Sequence, residues 1–324
     1  MPLITGTKTK PEYDVIVVGS GAAGGMSGYI LAMHGVRVLM LEAGRNYDPV
    51  KETPMFNLPK DAPLRGSGTP AKPFGFHDAT VDGGWQVPGE PYSSDPGVDF
   101  QWWRSRMLGG RTNHWGRISL RMGPYDFKPR SRDGLGIDWP IDYKDLEPYY
   151  DKTESLIGVY GSNEGLENTP NSSPGVLLPP PKPRAYELWT KKYCDKLRIP
   201  VIPSHLAILT RPYGPDRHRA LAEQLHPGNK IAAAALPKNS RLACFWATDC
   251  GRGCSIKANF QSTTVLLPPA IASGNLDIIT DAMVREVTVD AKTGEATGVI
   301  YVDRQTGKDV AARARVVIES SRAI

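Results

Sequence analysis

The run from Tyr13 to Glu42 constrains this chain more than any other stretch. Tyr13-Asp14-Val15-Ile16-Val17-Val18 is a short β-branched segment of the kind that forms a buried parallel strand. It leads directly into Gly19-Ser20-Gly21-Ala22-Ala23-Gly24, and the pattern predicts a helix from about Ala22 to His34. A second strand, Val36 to Leu41, then ends at Glu42. Gly19 permits the strand-to-helix turn, Gly21 lets a pyrophosphate approach the backbone, and Gly24 lets the helix pack closely on the sheet. Ala22 opens the helix, whose first N–H groups and partial positive charge favour phosphate. Glu42 stands where a carboxylate accepts the ribose hydroxyls, which favours an unphosphorylated ribose. The expected ligand is FAD or NAD rather than NADP.

The chain has 324 residues, 40% hydrophobic and 23% charged, an ordinary globular balance with length for one large or two modest domains. A net charge of +5 is spread without a basic run, which excludes a nucleic-acid arm. No segment approaches the roughly 18–20 apolar residues of a membrane helix. The polar stretch from Met1 to Tyr13 lacks the apolar core of a secretory signal. The cytoplasm is therefore the expected location, with export beside a signal-bearing partner as the alternative.

Beyond Glu42 the chain continues Ala43-Gly44-Arg45 and enters a Pro- and Gly-rich excursion from Asn46 to about Phe100. An NAD dehydrogenase would continue with regular strand–helix alternation, whereas a loop of this length usually covers something. The next informative segment is Arg106-Met107-Leu108-Gly109-Gly110-Arg111-Thr112-Asn113-His114-Trp115. Its glycine pair would let the backbone run against a flat ring with no Cβ in the way. In the last third, Leu276–Ile279, Met283–Val289 and Gly298–Val302 read as alternating strands joined by turns at Gly294 and Gly307, a β-meander.

The run from Val17 to Gly44 resembles the opening of FAD-dependent oxidoreductases. The Gly109–Trp115 segment resembles the flavin-contacting segment of the glucose–methanol–choline (GMC) oxidoreductases, closest to the pyranose oxidase and gluconate–fructose dehydrogenase branch. The resemblance covers both ends and the middle of the chain. It implies an α/β fold: a Rossmann-like FAD-binding domain, made of a parallel sheet plus a β-meander, with part of an α+β substrate domain. The FAD domain would comprise residues 1–122 and 242–324, and a partial substrate or cap domain residues 123–241. Gly109, Gly110, Asn113 and His114 would lie along the flavin and pyrophosphate, and the backbone near Val284 would read the adenine. The implied reaction takes hydride from a CH–OH group of an alcohol or sugar to flavin N5. In pyranose oxidases the histidine of the matching His-Trp pair carries a covalent bond to the flavin, by position His114 here. Asn113 departs from the usual residue of that motif, and His114 packing beside the flavin without a covalent bond is the other reading.

Three further features follow. Cys244, Cys250 and Cys254 cluster in Ala-Cys-Phe-Trp-Ala-Thr-Asp-Cys-Gly-Arg-Gly-Cys, where sulfur ligands would suit iron or zinc. Dehydrogenases of the resembled branch carry an iron–sulfur cluster in such a segment and pass electrons to an accepting subunit. Their segment starts with adjacent cysteines, whereas Ala243 precedes Cys244 here, so ordinary thiols are the expectation. The family's catalytic histidine belongs to a region beyond Ile324, so the chain reads as shortened and no catalytic residue is identified within it. His34, His77, His205, His218 and His226 read as surface or packing residues. In the middle, Asp138-Trp139-Pro140-Ile141 and a helix from Tyr143 to about Ile157 resemble the substrate-domain entry, their aromatics expected in the core. A catalytically inactive FAD-binding fragment and an NAD-dependent dehydrogenase are the competing readings.

Overall fold

A computed structural model describes residues 13–52, 83–84, 95–97, 104–246 and 250–321. The N-terminal stretch before Tyr13, most of the excursion between Asn46 and Phe100, and His77 lie outside the described residues. Strand β1 (Tyr13–Val18), helix α1 (Ala22–Met33) and strand β2 (Val38–Leu41) form in the expected order. β2 starts later than the periodicity suggests because Val36 still belongs to the helix terminus. Its N–H donates to the Leu31 carbonyl at 3.1 Å while Gly35 adopts φ +79°. This is the double-bonded cap that commonly closes a helix.

Helix α2 (Pro49–Glu52) follows, then the antiparallel pair β3 (Gly83–Gly84) and β4 (Arg104–Ser105). The middle of the chain is helical: α3 (Pro129–Asp133), α4 (Tyr143–Ile157), α5 (Ala185–Lys196), α6 (Pro215–Leu225) and α7 (Lys230–Ala235). Helix α4 has the predicted bounds because Asp142 caps it: its carboxylate accepts from Lys144 N at 2.8 Å, and Asp145 accepts from Asp142 N at 2.9 Å. Short helices α8 (Ser262–Val265) and α9 (Leu267–Ala272) lead to β5 (Leu276–Ile279), β6 (Ala282–Val289), β7 (Ala296–Asp303) and β8 (Lys308–Glu319).

Six strands form one sheet in the order β5-β2-β1-β8-β7-β6. β5, β2, β1 and the far end of β8 run parallel, while β6, β7 and the near end of β8 form the antiparallel meander. β8 is therefore one strand with two partners. It pairs with β7 through Arg313 and with β1 from Ala314 to Glu319. The α/β, Rossmann-like class with its meander is the observed one.

Alternation along β1 and β2 sends Val15, Val17, Val38 and Met40 to one apolar cluster, and Ile16, Val18, Leu39 and Leu41 to another. The first cluster lies under α1 and continues through α9 into Leu156, Leu209, Tyr213 and Leu221 of the middle region. The second is closed by the meander through Val299, Tyr301 and Ala312. Of the middle aromatics Tyr143 is buried as expected, whereas Trp139, 48% exposed, and Tyr149, 62%, depart from the core expectation. α4 is buried all round its last turn, Glu154 to Ile157, whereas Tyr149 sits in its exposed middle, where Lys152 lies over the ring. Among the described residues, no helix is long and apolar enough to cross a membrane.

Candidate functional site: the glycine loop and the Gly109 turn

β1 ends at Val18, and Gly19 bends the chain at φ +91° into α1. The cap of α1 is Gly21; no side chain bonds to it, and the first turn holds no acidic residue. Its N–H groups and partial charge are thus left for an anion. A Cβ on Gly21 would meet nothing within 4 Å, and one on Gly110 would point at Gly21 Cα from 3.6 Å. Two bare backbones therefore face each other across the loop, a cradle suited to a pyrophosphate. Close packing needs several of these glycines. A Cβ on Gly24 would overlap the Gly19 carbonyl just past β1 and lie 3.3 Å from Ser320 Cβ just past β8. One on Gly25 would overlap Ser262 Oγ of α8, and one on Gly28 would crowd Met40 of β2.

Glu42 is buried at the end of β2, and burial pushes its carboxyl above the usual carboxylate range. Three protein donors work against that rise. Ser20 N donates to Oε2 at 3.0 Å, Ser20 Oγ donates to the same oxygen, and Gly44 N donates to Oε1 at 2.8 Å. A carboxylate offers about four acceptor directions, so roughly one is left for a ligand hydroxyl.

Ser20 Oγ also accepts from Gly109 N at 2.8 Å. One hydroxyl thus joins the glycine loop, the acid and the second glycine motif. Around it, Leu108 N donates to Arg45 O at 2.8 Å, and Ala282 N donates to Glu42 O at 2.9 Å. The stretch Glu42–Arg45 is held between the 106–108 segment on one side and the start of β6 on the other. Val284 lies two residues further along β6, half-buried against the second cluster.

Gly109 adopts φ +86°, and a short 3-10 turn follows from Gly110 to Asn113. Thr112 Oγ1 donates to Gly109 O at 2.6 Å and accepts from Ser262 N at 3.0 Å. Asn113 is fully buried; its Nδ2 donates to Leu108 O at 2.8 Å and its Oδ1 accepts from Thr263 Oγ1 at 3.1 Å. Both amide atoms of Asn113 are thus used in shaping the turn. His114 closes the turn. Burial, then the Arg111 and Arg117 charges, hold its imidazole down at about 4, so it is neutral at pH 7.

Residues 12–50 match the FAD binding domain family and residues 185–324 match the GMC oxidoreductase family. The GMC match spans the C-terminal part of the chain. FAD is accordingly the cofactor its first motif serves. Among curated relatives, 6'''-hydroxyparomomycin C oxidase of Streptomyces lividus is 28% identical over 96% of this chain and 48% of its own length. The 2-methyl-1,2-propanediol dehydrogenase of Mycolicibacterium austroafricanum is 28% identical over 98% of this chain and 50% of its own. The fructose dehydrogenase large subunit of Gluconobacter japonicus is 32% identical over 49% of this chain and 29% of its own. The chain spans about half the length of the first curated relatives it matches. The crystal structure of pyridoxine 4-oxidase from Mesorbium loti shares its fold, with a TM-score of 0.51 and 16% identity over 95% of this chain and 49% of that one.

The three clustered cysteines are neighbours, and the thiols of Cys250 and Cys254 add to the burial that pushes Cys244 up. Cys244 Sγ accepts from Trp246 N and Cys254 Sγ from Ala258 N, each at 3.3 Å. They are not gathered as a ligand set: among the described residues no group of three or more His, Cys, Asp or Glu side chains could hold a metal ion. The described histidines apart from His114 lie elsewhere. His205, His218 and His226 are buried and bonded to Ser162 O, Gly214 O and Tyr29 Oη respectively, and His34 is exposed. Sequence reasoning missed Ser20, Ser262 and Thr263, which hold the two glycine motifs together. A hydroxyl-rich Gln261-Ser262-Thr263-Thr264 run opening a helix was the available signal.

Proposed function

We propose that this chain is the FAD-holding portion of an oxidoreductase that takes hydride from a CH–OH group of an alcohol or sugar to flavin N5. The observation that carries it is Ser20, whose backbone and hydroxyl bond Glu42 and whose hydroxyl also accepts from Gly109. The bare backbones of Gly19, Gly21 and Gly24 and the start of α1 at Ala22 serve the pyrophosphate. Glu42 accepts a ribose hydroxyl, the backbone at Val284 meets the adenine, and Gly109, Gly110, Asn113 and His114 form the flavin side. Residues 1–122 and 242–324 make the FAD domain, and residues 123–241 part of the substrate domain.

Support for the CH–OH substrate comes from relatives named as a fructose dehydrogenase, a propanediol dehydrogenase, a hydroxyparomomycin oxidase and a paromamine oxidase. The flavin supplies the hydride acceptor. The chain's residues bind it and keep a neutral imidazole beside it. A large-subunit relative supports an electron-accepting partner subunit. Purified protein should carry FAD and, as part of the whole enzyme, reduce an artificial electron acceptor with alcohols or sugars. Acid precipitation tells whether the flavin leaves the protein or stays attached at His114. A flavin-free preparation that turns over nicotinamide would overturn the proposal.

A further inference from the structure

Arg117 is fully buried, and its backbone takes φ +63°, a conformation that non-glycine residues rarely adopt. Its guanidinium reaches four backbone carbonyls. Nη2 donates to Thr112 O at 3.2 Å and Asn113 O at 3.0 Å; Nη1 donates to Cys250 O at 2.7 Å and to Trp115 O. The first two carbonyls end the 3-10 turn that follows Gly109, where carbonyls lack partners within the turn itself. A cation there also complements the negative end of the turn. The Arg117 carbonyl accepts from Ala207 N at 2.9 Å, so the middle region holds the residue from behind. The guanidinium plane also lies over the Trp115 ring, with Cζ at 5.8 Å from the centroid.

We propose that Arg117 is a positioning residue for the flavin segment. It draws the carbonyls of Thr112, Asn113 and Trp115 onto one rigid fork, with the Cys250 carbonyl as the far anchor. It thereby fixes the curve along which Gly109 to His114 meets the cofactor. Its charge additionally helps to keep His114 neutral. The inference rests on the reading that this segment faces FAD.

The test compares the FAD-loaded protein with R117Q and R117K. FAD affinity is measured by flavin fluorescence, the flavin's surroundings by its visible circular dichroism, and stability by melting of the apoprotein. R117Q is expected to weaken FAD binding by about tenfold or more, the scale seen when an outer support of a bound group is lost. It should also change the visible dichroism, and R117K should recover part of both. A purely structural role would lower the melting temperature and leave the bound flavin's spectrum unchanged. A folded R117Q with FAD affinity within about twofold of wild type and a superimposable spectrum overturns the proposal. If R117Q does not fold, an unchanged R117K spectrum and affinity overturn it equally. Failure of the wild-type protein itself to take FAD would instead refute the functional reading.

Discussion

Arg121 and Arg241 are both buried guanidiniums in opposite surroundings. Arg121 forks onto Glu154, with Nε to Oε1 at 2.8 Å and Nη2 to Oε2 at 2.6 Å, and it also bonds Asp151 and Tyr143 Oη. Glu154 in turn accepts from Ser172 Oγ at 2.7 Å. Burial opposes this arginine's charge, but the Glu154 and Asp151 bonds outweigh it and leave the guanidinium held more firmly than in water. Arg241 has carbonyls and a ring instead: Nε donates to Lys257 O at 3.0 Å, Nη2 to Ala258 O at 3.3 Å, Cζ lies over the Tyr213 ring at 5.7 Å, and Nη1 has no hydrogen-bond partner. No carboxylate pairs with it among the described residues, and burial draws it down to about 10. The first arginine is a specific rivet between the 117–121 segment and α4. The second is a burden the fold tolerates beside Tyr213 and the turn bearing Cys254.

Perturbing the two sites should separate them. R121M strands Glu154 as a buried carboxylate without its cation, and the loss should reach about 3–5 kcal/mol in denaturant unfolding. A loss below about 1 kcal/mol would mean that the rivet carries no load. Next in size is the acid limb set by His218, which packs beside Tyr213. Burial first, then the Arg241 charge, hold its imidazole at about 4, below the ordinary 6.5. The unfolded chain therefore takes up a proton first as pH falls. This group's contribution is intact above about 6.5 and is lost between there and about 4, on the order of 3 kcal/mol. H218Q should flatten that part of a stability–pH curve. An unchanged curve would show that His218 titrates normally.

R241M removes a cation that has no carboxylate partner, along with its contact over the Tyr213 ring and two carbonyl bonds, one of them to Ala258 O, which still accepts from Leu209 N. The net change should stay within about 1 kcal/mol of wild type, because an unpaired buried charge is itself unfavourable. If R241M costs as much as R121M, the contrast between the two sites collapses. The smallest effect is electrostatic: in R241M the His218 imidazole should titrate at higher pH, by less than about one unit by NMR. No rise would remove Arg241 from the causes of its depression.

Much of the cofactor unit was legible because it is written in short-range patterns. The β-branched run of β1, the glycine loop, Asp142 before α4 and the turns of the meander each act within a few residues. What escaped depends on distance along the chain. Ser20 bonds a residue 22 positions away and another 89 away, and Ser262 meets Thr112 from 150 away. Gly25 is needed only because α8 happens to cross there. Trp139 and Tyr149 misled because aromatic content says nothing about which stretch of the 138–157 segment meets the core, here the last turn of α4.

The double pairing of β8 has a consequence for biosynthesis. β1 can zip onto β2 soon after both emerge, but its other edge pairs with Ala314 to Glu319, roughly 300 residues later. At translation speeds of about 5–20 residues per second, that edge waits on the order of 15–60 seconds for its partner. It is apolar, β-branched and unpaired throughout, the kind of template that recruits foreign strands. The nascent N-terminal strand is therefore the part of this chain with most to gain from a chaperone while the rest is still being made.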